Sequence, residues 1–134
     1  MPIHTGGCHC GRIRLRFDAL VDHATECNCS ICHQRGALWF ALKPEDLQVD
    51  AREGDIRSYQ FGTRTAEHYF CRVCGIQPFV KPRIATHLRM VNLRCVDGID
   101  AAALPRRLFD GRNFEEAAQA LHAALADKRR MQRA

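Results

Sequence analysis

Cys71-Arg72-Val73-Cys74-Gly75 is the stretch from which the organisation of this chain is read. A C-x-x-C followed by glycine is a tight turn that aims two sulfurs and its backbone N–H groups at one point. Two sulfurs do not complete a tetrahedral metal site, so the turn needs a second pair from elsewhere. Cys8-His9-Cys10 offers that pair as a C-x-C close to the N-terminus. A metal shared by the two would join chain segments that are far apart in sequence.

A third group lies between them, Cys27-Asn28-Cys29-Ser30-Ile31-Cys32, which reads C-x-C-x-x-C. Its thiols stand in one short loop. Three protein ligands leave the fourth position of a tetrahedral ion open, as in a catalytic zinc site. A closed second site, with Cys95 or His33 as the fourth ligand, is equally compatible with the spacing. The chain has eight cysteines, of which Cys95 alone is isolated. Burial as a small hydrophobe accounts for Cys95 but not for clustered thiols flanked by polar residues. A disulfide framework is a poor fit, because adjacent C-x-C pairs make strained bridges. The start, Met1-Pro2-Ile3-His4-Thr5, also lacks the basic and apolar segments of a signal peptide. Zinc explains the pattern best, although iron takes the same thiolates. The reduced thiols imply a cytoplasmic protein.

Composition narrows the classes further. With 134 residues, 46% hydrophobic and 26% charged, the chain reads as a single soluble domain, 1–134, with a core of its own. No apolar run is long enough to cross a bilayer, so no membrane partner is expected. The net charge of +5 is spread along the chain, and only Lys128-Arg129-Arg130 with Arg133 forms a local run. Such diffuse charge argues for a solvated surface, or an anionic substrate, rather than for nucleic acid.

Hydrophobic patterning predicts mainly antiparallel β-structure. Arg12 to Phe17 alternates polar and apolar, Leu38 to Leu42 is a short apolar run, and Ile56 to Phe61, Thr65 to Phe70 and His87 to Cys95 read as further strands. Trp39 and Phe40 are expected in the core or in a pocket wall. The tail, 113–133, differs: Asn113 with Glu116 resembles a capping box. Phe114, Ala117, Ala118, Leu121 and Leu125 then recur at helical spacing. The apolar face of this helix would pack on the sheet or on a second subunit, so a homodimer is among the expectations.

Together these motifs resemble the glutathione-dependent formaldehyde-activating enzyme family, which also includes centromere protein V. Gly6-Gly7-Cys8-His9-Cys10-Gly11 resembles the family opening. Cys27 to Cys32, continuing to Arg35-Gly36-Ala37, resembles its central motif. Phe70 to Gly75, with Pro78-Phe79 and Pro82-Arg83, resembles its C-x-x-C turn. Val91-Asn92-Leu93-Arg94-Cys95 and Phe109-Asp110-Gly111-Arg112-Asn113 resemble its closing segments. The resemblance implies a tent-like antiparallel β-fold stapled by zinc, with a structural zinc on Cys8, Cys10, Cys71 and Cys74. It implies a catalytic zinc on Cys27, Cys29 and Cys32, and addition of glutathione to formaldehyde, a carbon–sulfur lyase activity. The helix after Asn113 lies outside the resemblance.

Chemistry of that kind needs a thiolate held beside an aldehyde carbon. His33, next to the last ligand, is a candidate proton carrier or orienter of a ligand. Arg35 is a candidate contact for a glutathione carboxylate. The alternative is a non-catalytic module whose two structural zincs present a surface to protein or nucleic acid. What separates the two is whether the second metal has an open position.

Overall fold

The computed structural model describes residues 2–133. Alternation in strand β2 (Arg14–Asp18) turns Leu15 and Phe17 inward and leaves Arg14 and Arg16 outside. Strand β1 (Ile3–Gly7) and strand β5 (Gln48–Asp50) pair antiparallel on its two edges, making a three-stranded sheet ordered β1-β2-β5. The hairpin between β1 and β2 carries Cys8 and Cys10.

A second sheet holds seven strands: β3 (Ala24–Cys27), β4 (Trp39–Leu42), β6 (Ile56–Tyr59), β7 (Glu67–Cys71), β8 (Phe79–Lys81), β9 (Arg89–Asn92) and β10 (Arg106–Phe109). Their order is β10-β3-β4-β9-β8-β7-β6. Every pairing is antiparallel except that of β10 with β3, which is parallel. The expected mainly β architecture with a C-terminal helix is therefore the one observed, with one parallel edge added to it. Ile13, Leu15, Phe17, Leu38, Leu42, Val91 and Leu93 form the shared core. An antiparallel bridge between Gly6 and Val96 ties β1 to the segment after β9. A Cβ on Gly6 would lie 2.1 Å from the Cys95 carbonyl oxygen, so only glycine fits.

Three local expectations change. The strand expected over His87 to Cys95 is only β9. Leu93–Cys95 is a 3₁₀ turn, because the Asn92 side chain accepts the Arg94 N–H at 3.2 Å and curls the chain. The three-cysteine loop is in part a helix, α1 (Ser30–Arg35), closed by Gly36 at φ +66°. Asn113, expected as the N-cap of the tail helix, ends a 3₁₀ turn instead and donates its side-chain amide to Asp110 at 2.9 Å.

The tail helix itself, α2 (Phe114–Arg133), is present. Its first turns pack on the body: Ala118 is buried, and the Arg83 guanidinium lies 3.8 Å from the Phe114 ring centroid while pairing with Glu115. Leu121 and Leu125 are exposed. Among the described residues, no helix is long and apolar enough to cross a membrane.

Candidate metal centres

The β1–β2 hairpin and the turn after β7 bring Cys8, Cys10, Cys71 and Cys74 together, with all four sulfurs within 4.8 Å of one another. The Sγ atoms of Cys8 and Cys10 are 3.6 Å apart, as are those of Cys10 and Cys71. A tetrahedron with Zn–S bonds of about 2.3 Å has edges of about 3.8 Å, so the donor set fits such an ion. Backbone N–H groups complete the cradle: Ile13 donates to Cys8 Sγ at 3.3 Å and Val73 to Cys71 Sγ at 3.4 Å. The N–H of Gly75, at φ +78°, closes the turn on the Cys71 carbonyl at 2.9 Å. Buried Asp55 fastens this turn from behind, its carboxylate accepting from Arg72 Nε at 3.2 Å and its carbonyl from Arg72 N at 3.0 Å. The Cys10 thiol is drawn down to about 6, first by the Arg12 backbone N–H, which prepares it to ligate.

A second set forms where β3 meets α1. Cys27 ends the strand, Cys29 precedes the helix in extended backbone, and Cys32 lies one turn in. Their three sulfurs also lie within 4.8 Å of one another and are half-buried. Hydrogen bonds from Cys27 and Cys32 hold the Cys29 thiol down at about 2, while bonds with Cys27 first and then with Cys29 raise Cys32. Neither His33 nor Cys95 joins it. Cys95 donates instead to the Gln77 carbonyl at 3.8 Å, and burial pushes its thiol up to about 11.

The segment after β10 locks this second set. Asn28 N donates to the Phe109 carbonyl at 3.3 Å, and Asn28 Nδ2 to Asp110 at 2.9 Å. Arg112 returns two bonds, its N–H to Asn28 Oδ1 at 3.1 Å and its Nε to the Asn28 carbonyl at 2.8 Å. Gly111 fits against the sulfurs, since a Cβ there would stand 2.5 Å from Cys27 Sγ.

Two clefts flank α1. The first, about 470 Å³, exposes Cys27 and Cys32 together with His33, and its far wall includes Leu108 and Asp110. The second, about 440 Å³, lies across the helix and contains Arg35. Arg35 therefore faces away from the cleft that reaches the sulfurs. Its Nη1 donates to Gln77 Oε1, and Gln77 Nε2 donates in turn to His68 Nδ1 at 3.3 Å. Asn92 Nδ2 reaches the Gln77 carbonyl at 3.0 Å. His68, Gln77 and Asn92 are all buried, and burial first, then the Arg35 charge, lowers the His68 pKa. Trp39 is core, packed in a small cluster that touches Cys32. Sequence reading passed over His68 and Gln77 because neither stands in a recognisable motif. Asn28 and Gly111 stand within recognisable motifs, but the bonds of Asn28 to Asp110 and Arg112 and the fit of Gly111 against Cys27 join segments distant in sequence.

The fold agrees with what comparison with known proteins finds. A crystal structure of a Rhodobacter sphaeroides protein, a structural-genomics target, is 36% identical in sequence and superposes with a TM-score of 0.68, covering 77% of this chain and 99% of that one. The family model described as glutathione-dependent formaldehyde-activating enzyme matches residues 3–110, a span that contains both sulfur sets and ends at the Asp110 that clasps Asn28. This chain belongs to the glutathione-dependent formaldehyde-activating enzyme family.

Proposed function

We propose that this chain is a zinc enzyme that adds glutathione, or a similar thiol, to formaldehyde or another small aldehyde. The observation that carries the reading is the Cys27–Cys29–Cys32 trio, three converging sulfurs without a fourth protein ligand, open to a cleft. Cys8, Cys10, Cys71 and Cys74 would hold a structural zinc, and the trio a catalytic one. A docking module with two closed sites would need a fourth ligand at the trio. In the enzyme reading that position belongs to the incoming thiol.

Zinc bound at the trio would lower the pKa of a thiol brought to its open position. The protein's own groups do the rest. The cleft holds the thiol and aldehyde side by side, which supplies most of the acceleration by proximity. The thiol sulfur bonds to the carbonyl carbon, the C=O π bond breaks, and the thiol proton ends on the new hydroxyl oxygen. His33, exposed at the cleft mouth, would carry that proton from sulfur to oxygen. Leu108, on the facing wall, would limit water at the reacting carbon. Arg35 would meet an anionic group from its own cleft. All eight cysteines are unpaired, which suits a reaction in the reducing cytoplasm.

Adduct formation with glutathione also occurs without a catalyst, so the test is exchange spectroscopy of ¹³C-formaldehyde with glutathione at equilibrium. Zinc-loaded protein should accelerate the exchange, and Cys29→Ser should abolish the acceleration while the fold persists. Full turnover in Cys29→Ser would exclude the zinc-thiolate mechanism.

A further inference from the structure

Helix α1 has two bordered faces, and the proposed thiol addition uses one. Ser30, Ile31, Gln34 and Arg35 border the second cleft, whose opposite wall is Tyr59, Phe61 and Phe70 from the β6–β7 hairpin. Tyr59 and Phe61 are 48% and 42% exposed, and core packing does not require large rings in water beside a concavity. These rings stack in series. Tyr59 stacks on Phe61 at 5.7 Å and 21° between planes, and Phe61 stacks on His68 at 5.6 Å and 26°. His68 is buried and bonded to Gln77, so the stack rests on a fixed base.

The charge in this cleft has one sign. Arg35 is the one ionised residue among those lining it. A guanidinium offers five N–H donors in a planar fork. Gln77, itself 5% exposed, takes one of them and thereby sets the plane of the group. Arg35 lines a cavity of about 440 Å³, within the range of small-molecule sites.

We propose that the second cleft binds a small organic anion with a flat aromatic body, an arene carboxylate. Its ring lies against Phe61 and Tyr59, and its carboxylate takes the free edge of Arg35 in a charge-assisted, bidentate pair. The proposal shares with the thiol-addition reading only the use of Arg35 as an anion contact. It needs neither the thiol nor the open metal position.

Titration of the zinc-loaded protein with 2-naphthoate, followed by calorimetry and by backbone amide shifts, tests it. We expect saturable one-site binding with shifts centred on Gln34, Tyr59 and Phe61. Arg35→Gln should weaken binding about tenfold, and the neutral 2-naphthylmethanol should bind the native protein about as weakly. Phe61→Ala, at a ring that is 42% exposed, should weaken it severalfold. Absence of saturation overturns the proposal, as do shifts that map to His33 and Leu108, or affinities unchanged in both variants. Because Cys29→Ser should lose turnover yet bind naphthoate normally, failure here and failure of the thiol-addition reading give different results.

Discussion

A Cβ on residue 111 would stand 2.5 Å from Cys27 Sγ and 2.9 Å from Cys29 Cβ. Both neighbours are anchored, Cys27 at the end of β3 and Cys29 at the entrance to α1. The clash is relieved most cheaply by rotating the Cys27 side chain, which takes its sulfur out of the trio. Gly111→Ala should therefore weaken metal binding at the trio by about tenfold or more and leave the four-cysteine set intact. Competition with a chromophoric chelator, with cobalt spectra to count thiolates, reads both sets at once. Wild-type affinity at both would show that the segment yields without cost. The cysteines themselves were legible in the sequence because metal-ligand spacing is local. The fit of Gly111 was not, because Cys27 lies across the same gap of 84 residues that Arg112 spans to reach Asn28.

At the scale of elements, legibility followed periodicity. Strand β2 alternates cleanly and was read, and the helical spacing of Phe114, Ala117, Ala118 and Leu121 gave α2. Strand β8 is three residues long, and β10 exposes three of its four residues, so neither carries a pattern to read. Helix α1 is six residues without a buried one; it is held by its neighbours rather than by an apolar face. Arg94 Nε donates to the Gly36 carbonyl at 2.8 Å, and Gln77 takes Arg35, so β7, β9 and the turn between β7 and β8 together fix the helix that bears Cys32. His68 gives this clamp a pH dependence. Burial holds it neutral below its ordinary value of 6.5, and its Nδ1 must stay unprotonated to accept from Gln77. As pH falls through and below 6.5, the unfolded chain takes up a proton that the folded chain refuses, so stability declines; above that range the effect vanishes. His68→Gln keeps an acceptor for Gln77 but cannot titrate. Between about pH 7.5 and about pH 5.5 the wild type should lose more stability than the variant, read as the denaturant midpoint in a zinc buffer. Parallel loss in both would remove His68 from the account. Thiolate protonation is common to the pair and cancels in the difference.

Over the whole molecule the two sulfur sets act on different lengths of chain. Cys27, Cys29 and Cys32 close a ring within one loop and one helical turn, so a metal there removes little freedom from the unfolded state. Cys10 and Cys71 are 61 residues apart, one in the hairpin turn between β1 and β2 of the three-stranded sheet and the other at the end of β7 in the seven-stranded sheet. Treated like a covalent cross-link, a metal joining them restricts the unfolded chain by about 4 kcal/mol. Elsewhere β1 and β2 meet the segment after β9 through side-chain packing, the Gly6–Val96 bridge and the bonds of Thr5 and Arg14 to Asp97, so the staple adds a tie at the end of β7. Cys10 is exposed and contributes little to the core, which makes Cys10→Ser a clean probe of the staple. It should lower the unfolding temperature by about 10 °C or more in a domain of this size. Cys29→Ser should move it by a few degrees at most, while removing the acceleration of thiol addition. Differential scanning calorimetry on the two variants, each saturated with zinc, gives the comparison. Equal losses of stability would mean that the trio also ties the fold together. A larger loss in Cys29→Ser would reverse the assignment of the structural and catalytic metals.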